Sequence, residues 1–412
     1  MSSTTLKGFV RGQAAIALAA SLLLSGVAAA PTVAAVPLLR HVPSVGTLTT
    51  PPTTSECLAN YGIHCYQPAQ FVKAYDLAPL FSHGITGKGE TIAIVDSFGS
   101  PTIAHDLHVF DQTFGLPDPP SLKVIAPAGA IPPFDPNDSD MEGWAEETTL
   151  DVEWSHVFAP GANILLVETP VSETEGVTGF PEIVKAENYV IDHGMADVIS
   201  QSFGATDSEL NLEDFYPYRV TSWPSSDPLV TSVGGTQLTL DDAGNRLAPD
   251  VVWNDGYGAG GGGVSTVFSR PFYQNGVARV VGGSRGAPDI SLSAAVDGAV
   301  VFYFSFVPGY VGYHLVGGTS ESTPEFAGVV ALADQVAHHR LGVLNPRIYE
   351  LLGSRGSGIV DVTSGNNTYG PFQNSDGNTY TVVGYSAKRG YDLASGVGTI
   401  DAAWFVPALA GH

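Results

Sequence analysis

The 412-residue chain is short of cysteine, methionine and positive charge: two Cys, three Met, and 17 Lys and Arg against 41 Asp and Glu. Two cysteines can close at most one bridge, so a disulfide-built scaffold is excluded. A formal net charge of −24 lacks the basic footprint that nucleic acid or an anionic membrane would require. No apolar run reaches membrane-spanning length; even Ala14–Val27 is too short. Gly258–Gly263 lacks the Gly-Lys-Ser/Thr ending of a phosphate loop, and no dinucleotide fingerprint opens a helix there. It reads as a flexible or substrate-apposed loop. The chain has no internal repeat.

What is present is a foldable chain, with 44% hydrophobic residues. A surface rich in carboxylates and poor in Lys loses charge in acid instead of accumulating a positive excess, which suits an acidic working environment. Lys7 and Arg11, the apolar Ala14–Val27 and the small residues after it form a secretory signal over residues 1–35. Cleavage is expected between Ala30 and Val36, giving a secreted, soluble, extracellular protein. In that oxidising setting Cys57 and Cys65 are expected to pair; a two-cysteine metal site is the weaker alternative. Residues 36–85 form a Pro/Thr-rich lead-in with a helical stretch at Ala69–Leu80.

From Gly87 the pattern is α/β. Strands are expected at Glu90–Asp96, Asn163–Val167, Ala196–Ser202, Leu229–Val233 and Ala299–Phe306. Helices are expected at Glu142–Phe158 and Pro181–His193. Apolar strands alternating with helices predict a mainly parallel sheet covered on both faces.

Two features carry chemistry. In Gly317-Gly318-Thr319-Ser320-Glu321-Ser322-Thr323-Pro324, an apolar run enters two glycines and a helix follows, expected over Phe326–Val336. A serine at such a junction can be a nucleophile near helix N–H groups, or simply a cap. The capping role is assigned to Ser322, with Glu325 three residues on and Pro324 in the first turn, leaving Ser320 free. The second feature is Glu147-x-x-x-Asp151. At about 100° per residue, Glu147, Asp151, Trp154 and Phe158 share one helix face, flanked by Leu150 and Val157, with Glu146 and Glu153 further round. Acids on an apolar face are costly unless used or paired, and two of them one turn apart titrate together. The alternative is an acidic first turn that complements the helix dipole.

Together these motifs resemble the sedolisins, the serine-carboxyl peptidases of the subtilisin-like clan. Asp96 ends the first strand as in subtilisins, but no His-Gly-Thr-His occurs, and His105, His108 and His156 lack that context. The resemblance runs from about Tyr66 to Val406. It includes Ala159-Pro160-Gly161-Ala162, Ser222-Trp223-Pro224-Ser225-Ser226, Val233-Gly234-Gly235-Thr236, Val252-Trp253-Asn254 and Asp361-Val362-Thr363-Ser364-Gly365. It implies a subtilisin-like fold over residues 86–412 and a monomeric peptidase acting on protein or peptide substrates. Ser320 would be the nucleophile, Glu147 the general base and acid, and Asp151 the residue that orients Glu147. It also implies one Ca²⁺ site from Asp361, Val362, Gly390 and Asp392, with the Lys388 carbonyl able to contribute where the family has Gly. A Glu base stays partly ionised where His would be fully charged, so the chemistry fits acid pH.

The chain departs from the family twice. The large N-terminal pro-domain of most members is not matched; residues 36–85 stand before the first core strand. The Ser-Gly-Asp-x-Gly motif whose Asp lines the oxyanion hole is also missing. Only Ala205–Ser222 lies where it belongs, and Asp207, Glu209 and Asp214 stand in a different context. A helix and a core strand are expected to be missing with it. The alternatives to an active serine-carboxyl endopeptidase are therefore a catalytically impaired chain of the same fold and, further off, a conventional subtilisin.

Overall fold

A computed structural model describes residues 40–42, 45–173, 178–206, 221–373 and 378–412. The signal reading of residues 1–35 and the acids Asp207, Glu209 and Asp214 lie outside these described residues. All the described residues belong to one compact unit.

The lead-in supplies β1 (Arg40–His41), α1 (Thr54–Tyr61), β2 (Cys65–Tyr66), α2 (Pro68–Ala74) and α3 (Ala78–Ser82). Cys57 and Cys65 are joined by a disulfide with Cα atoms 5.9 Å apart. The single helix expected at Ala69–Leu80 is two, because Asp76 adopts a left-handed φ of 56° between them. Phe71 and Tyr75 from α2 and its end are fully buried in the main core.

The central layer follows. It comprises β3 (Thr91–Ser97), α4 (Ile103–Phe114), β4 (Leu122–Ile125), α5 (Ser139–Phe158), β5 (Asn163–Thr169), α6 (Phe180–Asp192) and β6 (Val198–Ser200). The strands pair in the order β4-β5-β3-β6, all parallel. Alternation then sorts the side chains. Ile92, Ile94, Ile164 and Leu166 pack with residues of α5, while Ala93, Val95, Leu165 and Val167 pack with Phe180, Ile183 and Val190 of α6. Both faces of the sheet are covered, which is why its strands read as continuous apolar runs.

Beyond the short β7 (Ala205–Thr206) and β8 (Ser222–Trp223) comes β9 (Val233–Gln237). It starts at the end of the stretch expected as a strand; Leu229 is exposed instead. Then come β10 (Val251–Val252), β11 (Gly263–Ser269), α7 (Ala278–Val281), β12 (Ser284–Ala287) and β13 (Ile290–Ser293). β13 pairs in parallel with β9. Among the described residues β9 and β6 are not paired, so the parallel layer is split where a strand was expected to be missing.

The strand expected at Ala299–Phe306 is β14 (Ala299–Phe304), and it does not join the parallel layer. It forms an antiparallel hairpin with β15 (Gly312–Gly317), flanked by β1 on one side and β2 on the other. β15 leads into α8 (Thr319–Ala337), which packs across β13, β9, β6 and β3 and against α5. The C-terminal region adds α9 (Asn345–Leu351), two small antiparallel strand pairs and α10 (Ala402–Leu409). No described helix is long and apolar enough to cross a membrane.

Candidate active site

α8 begins at Thr319, seven residues ahead of the expected Phe326. Gly318 occupies the cap position with φ 137°, a conformation that only glycine adopts freely. The capping box assigned to Ser322 and Glu325 is therefore not one. Ser322 Oγ donates to the Thr319 carbonyl at 3.0 Å, Pro324 lies inside the helix, and Glu325 is completely buried. Ser320 is left in the first turn of α8, 1% exposed, and its hydroxyl hydrogen-bonds to no described residue.

α5 starts at an Asp138 cap that accepts from the Asp140 and Met141 N–H groups. From Glu147 to Phe158 it is buried on every side, not only on the stripe that contains Glu147 and Asp151. Glu153, expected further round, is also buried; its carboxylate accepts from the Tyr303 N–H at 3.0 Å. His156 is no catalytic histidine: it bonds the Pro117 carbonyl at 2.7 Å and faces Asp111 at 3.5 Å.

The helices that carry the acids and the serine, α5 and α8, pack against each other. Both run from the carboxyl end of the parallel strands toward the amino end, where Gly161 N–H meets the Thr86 carbonyl and Gln335 Oε1 accepts from the Thr86 N–H. They touch where a Cβ on Gly328 would lie 2.5 Å from Phe158 Cβ and 3.1 Å from the Ser155 carbonyl, so only glycine permits this approach.

Asp151 and Glu147 are both 0% exposed. Asp151 Oδ1 accepts a hydrogen bond from Ser202 Oγ at 2.8 Å. Ser202 follows β6 and lines a pocket of about 550 Å³ together with Ser320, Thr323, Gln201, Phe203, Ser225 and Thr231. Ser320 and the hydroxyl that holds Asp151 thus share one pocket. Burial drives the Asp151 pKa well above the ordinary carboxylate value, and the charges of Asp96 and Glu147 push it the same way. Asp96 itself is raised to about 7 by burial, against the pull of the Thr148 hydroxyl beside it. The arrangement can store a proton among three carboxyls next to a free serine hydroxyl. Sequence reasoning missed Ser202; a Ser after a strand gives no local signal of its partner.

Among the described residues, no acidic one lines the serine pocket. The glycine-rich loop does not line it either. Gly262 is pressed so close to the Leu393 carbonyl that a Cβ would lie 1.9 Å away, and Gly261 O accepts from Asn367 Nδ2.

The residues expected at a cation site do meet. Gly390 N–H donates to Asp361 Oδ2 at 2.9 Å, and Lys388 N–H to Asp392 Oδ2 at 2.6 Å. Asp392 Oδ1 already accepts from Ala394 and Ser395. No cluster of three or more His, Cys, Asp or Glu able to hold a metal occurs among the described residues, so backbone carbonyls would have to complete a site here.

No protein-family model matches the chain. It is similar to sedolisin from Pseudomonas sp. (strain 101), 27% identical over 383 residues, 82% of this chain and 60% of that protein. It is similar to kumamolisin from Bacillus sp. (strain MN-32), 28% identical over 371 residues, 81% of this chain and 62% of that protein. The chain thus spans less than two thirds of the length of these curated relatives. A solved structure of Pseudomonas sedolisin, a serine-carboxyl proteinase complexed with two molecules of pseudo-iodotyrostatin, matches with a TM-score of 0.69 at 26% identity. The match covers 85% of this chain and 99% of that one.

Proposed function

The chain belongs to the sedolisin family and has its subtilisin-like α/β fold, and from that premise we propose a secreted serine-carboxyl endopeptidase that works in acid. The observation that carries the proposal is the shared pocket of Ser320 and the Ser202–Asp151 hydrogen bond. Ser320 Oγ bonds to the scissile carbonyl carbon while its proton passes to the Glu147 carboxylate. Glu147 returns that proton to the amine as the C–N bond breaks. It then takes one from the water that releases the acyl group. Asp151, held by Ser202, keeps a proton in acid and steadies the charge on Glu147. Among the described residues nothing bonds the Ser320 hydroxyl, and catalytic hydrogen bonds commonly tighten only when substrate binds.

A second reading is a chain that keeps the fold and cleft with little turnover. Two observations favour it: among the described residues β6 and β9 are not paired with each other, and none that lines the serine pocket carries a carboxyl. Losing an oxyanion donor costs about 10²–10³ in rate. Digestion of an unfolded protein at about pH 4, where a Glu is still partly ionised, separates the two readings. Cleavage abolished by Ser320→Ala and by Glu147→Gln supports the enzyme; a folded chain with no cleavage supports the second reading.

The Ca²⁺ role remains part of the proposal. Asp361, Asp392 and the Val362, Lys388 and Gly390 carbonyls offer the hard oxygen set such an ion prefers, and a bound ion would brace the two loops. Melting with and without Ca²⁺ tests it: Ca²⁺ raises the wild-type melting temperature, and Asp392→Ala removes that rise.

A further inference from the structure

A second pocket, of about 400 Å³, opens at the same end of the sheet. Its walls are apolar: Phe98, Ile131, Pro132, Phe134 and Met141. Among the described residues its one ionisable lining residue is Glu168, next to last in β5. Register pairs Glu168 with Asp96, so both carboxyls lie on the sheet face that α5 covers. Among the described residues nothing hydrogen-bonds to the Glu168 carboxyl, and burial alone raises its pKa to about 7. A carboxyl left without a partner at an apolar wall costs stability unless something occupies it.

The backbone is shaped around it. Phe98 takes a left-handed φ of 60°, unusual for a large residue, and Gly99 follows at 76°. A Cβ on Gly99 would sit 2.0 Å from Glu168 Oε1. The loop thus closes over the carboxyl only because residue 99 is glycine. Thr149 Oγ1 of α5 donates to Ser100 Oγ, another lining residue, at 3.3 Å, which ties this pocket to the helix that carries Glu147.

We propose that this pocket is a substrate subsite for a basic side chain, Lys or Arg, whose aliphatic stem lies along the apolar wall and whose cation pairs with Glu168. The proposal rests on the peptidase reading above. Its distance from the reacting bond follows from the sheet. Glu168 is next to last in β5, Ser202 follows β6, and β3 lies between the two strands. Two strand spacings are about 10 Å, and an extended peptide advances about 3.3 Å per residue, so the basic residue lies about three positions from the scissile bond. The titratable group facing Glu168 from the adjoining strand is Asp96, which feels its charge; α5 presents Met141 to the pocket, and the loop before it Ile131, Pro132 and Phe134. A bound cation favours ionised Glu168, so the preference for a basic residue strengthens as pH rises from 4 toward 7.

The test compares peptides carrying Lys or norleucine at each position up to three residues either side of the cleaved bond, with free and with acetylated N-termini. The full-length protein should prefer Lys at one such position by about tenfold near pH 6, and by less at pH 4. Glu168→Gln should abolish that preference, read as the Lys-to-norleucine ratio within each variant, and Gly99→Ala should weaken it by displacing the carboxyl. Absence of any Lys-preferring position, or a preference that survives Glu168→Gln, overturns the proposal. A preference that needs the free N-terminus and not Lys overturns it in favour of an amine site. If Ser320→Ala and wild type alike fail to cleave, the peptidase reading falls by itself. Fluorescence anisotropy of the same peptides then reads the Lys-over-norleucine preference without turnover, and its absence there is equally fatal.

Discussion

α5 and α8 each carry two acids one helical turn apart, Glu147 with Asp151 and Glu321 with Glu325, and all four are 0% exposed. Their surroundings differ. The α5 pair meets Asp96 and, through Ser202, a solvent-reaching pocket that also holds Ser320. The α8 pair faces inward. Burial raises Glu321 far above the ordinary carboxylate value, against the Ser293 hydroxyl, and burial and then Glu321 raise Glu325. The nearby groups that feel it are Tyr66 and Tyr75, both buried. A buried acid pair is therefore no mark of catalysis by itself. What separates the two is a hydroxyl-lined route to a pocket.

The largest expected effect tests that difference directly. Glu147→Gln should cost about 10⁴-fold or more in kcat at pH 4, whereas Glu325→Leu, which swaps an acid for an apolar side chain of similar size, should leave turnover within a small factor. Comparable losses in both would break the comparison. Next is stability against pH. A carboxyl whose folded pKa is raised stabilises the fold fully below its unfolded value, near 4, and that contribution is lost as pH rises through the folded value, about 7 for Asp96. Thermal melts should therefore fall from pH 4 to pH 8. Glu325→Leu and Asp151→Asn should both flatten that fall, although only the second removes activity; a wild-type melting temperature that climbs with pH would contradict the burial argument. The smallest effect is Ser202→Ala. It should lower stability by about 1 kcal/mol in denaturant titration and shift the pH profile of kcat, because the Asp151 carboxyl loses its hydroxyl donor.

How much of this was legible depended on how local each signal was. The Gly-Gly-Thr-Ser junction and the Glu-x-x-x-Asp spacing are local; in the structure the second reaches the pocket of the first through the Ser202–Asp151 hydrogen bond. The start of α8 was misread because Ser-x-x-Glu is also a local cap signal; tertiary burial instead draws Glu325 into the core, and Gly318 caps the helix. Glu153 seemed to fall away from the buried face of α5, but the hairpin of β14 and β15 covers that side. The Ala299–Phe306 run announced a strand and not its partner, since pairing direction is set by the chain it meets. Glu168 did leave a trace, as a lone acid closing the apolar run Ile164-Leu165-Leu166-Val167, and that signal went unused.

By itself, the sequence determined the α/β alternation and the candidates for nucleophile and carboxylate base, because periodicity and residue chemistry are properties of short segments. The tertiary structure decided which acid is bonded to a serine of the Ser320 pocket, which acids are sealed in the core, and where the described parallel layer is split. Those outcomes depend on helices meeting at Gly328 and strands meeting in register across long stretches of chain, and no segment encodes its partner's position.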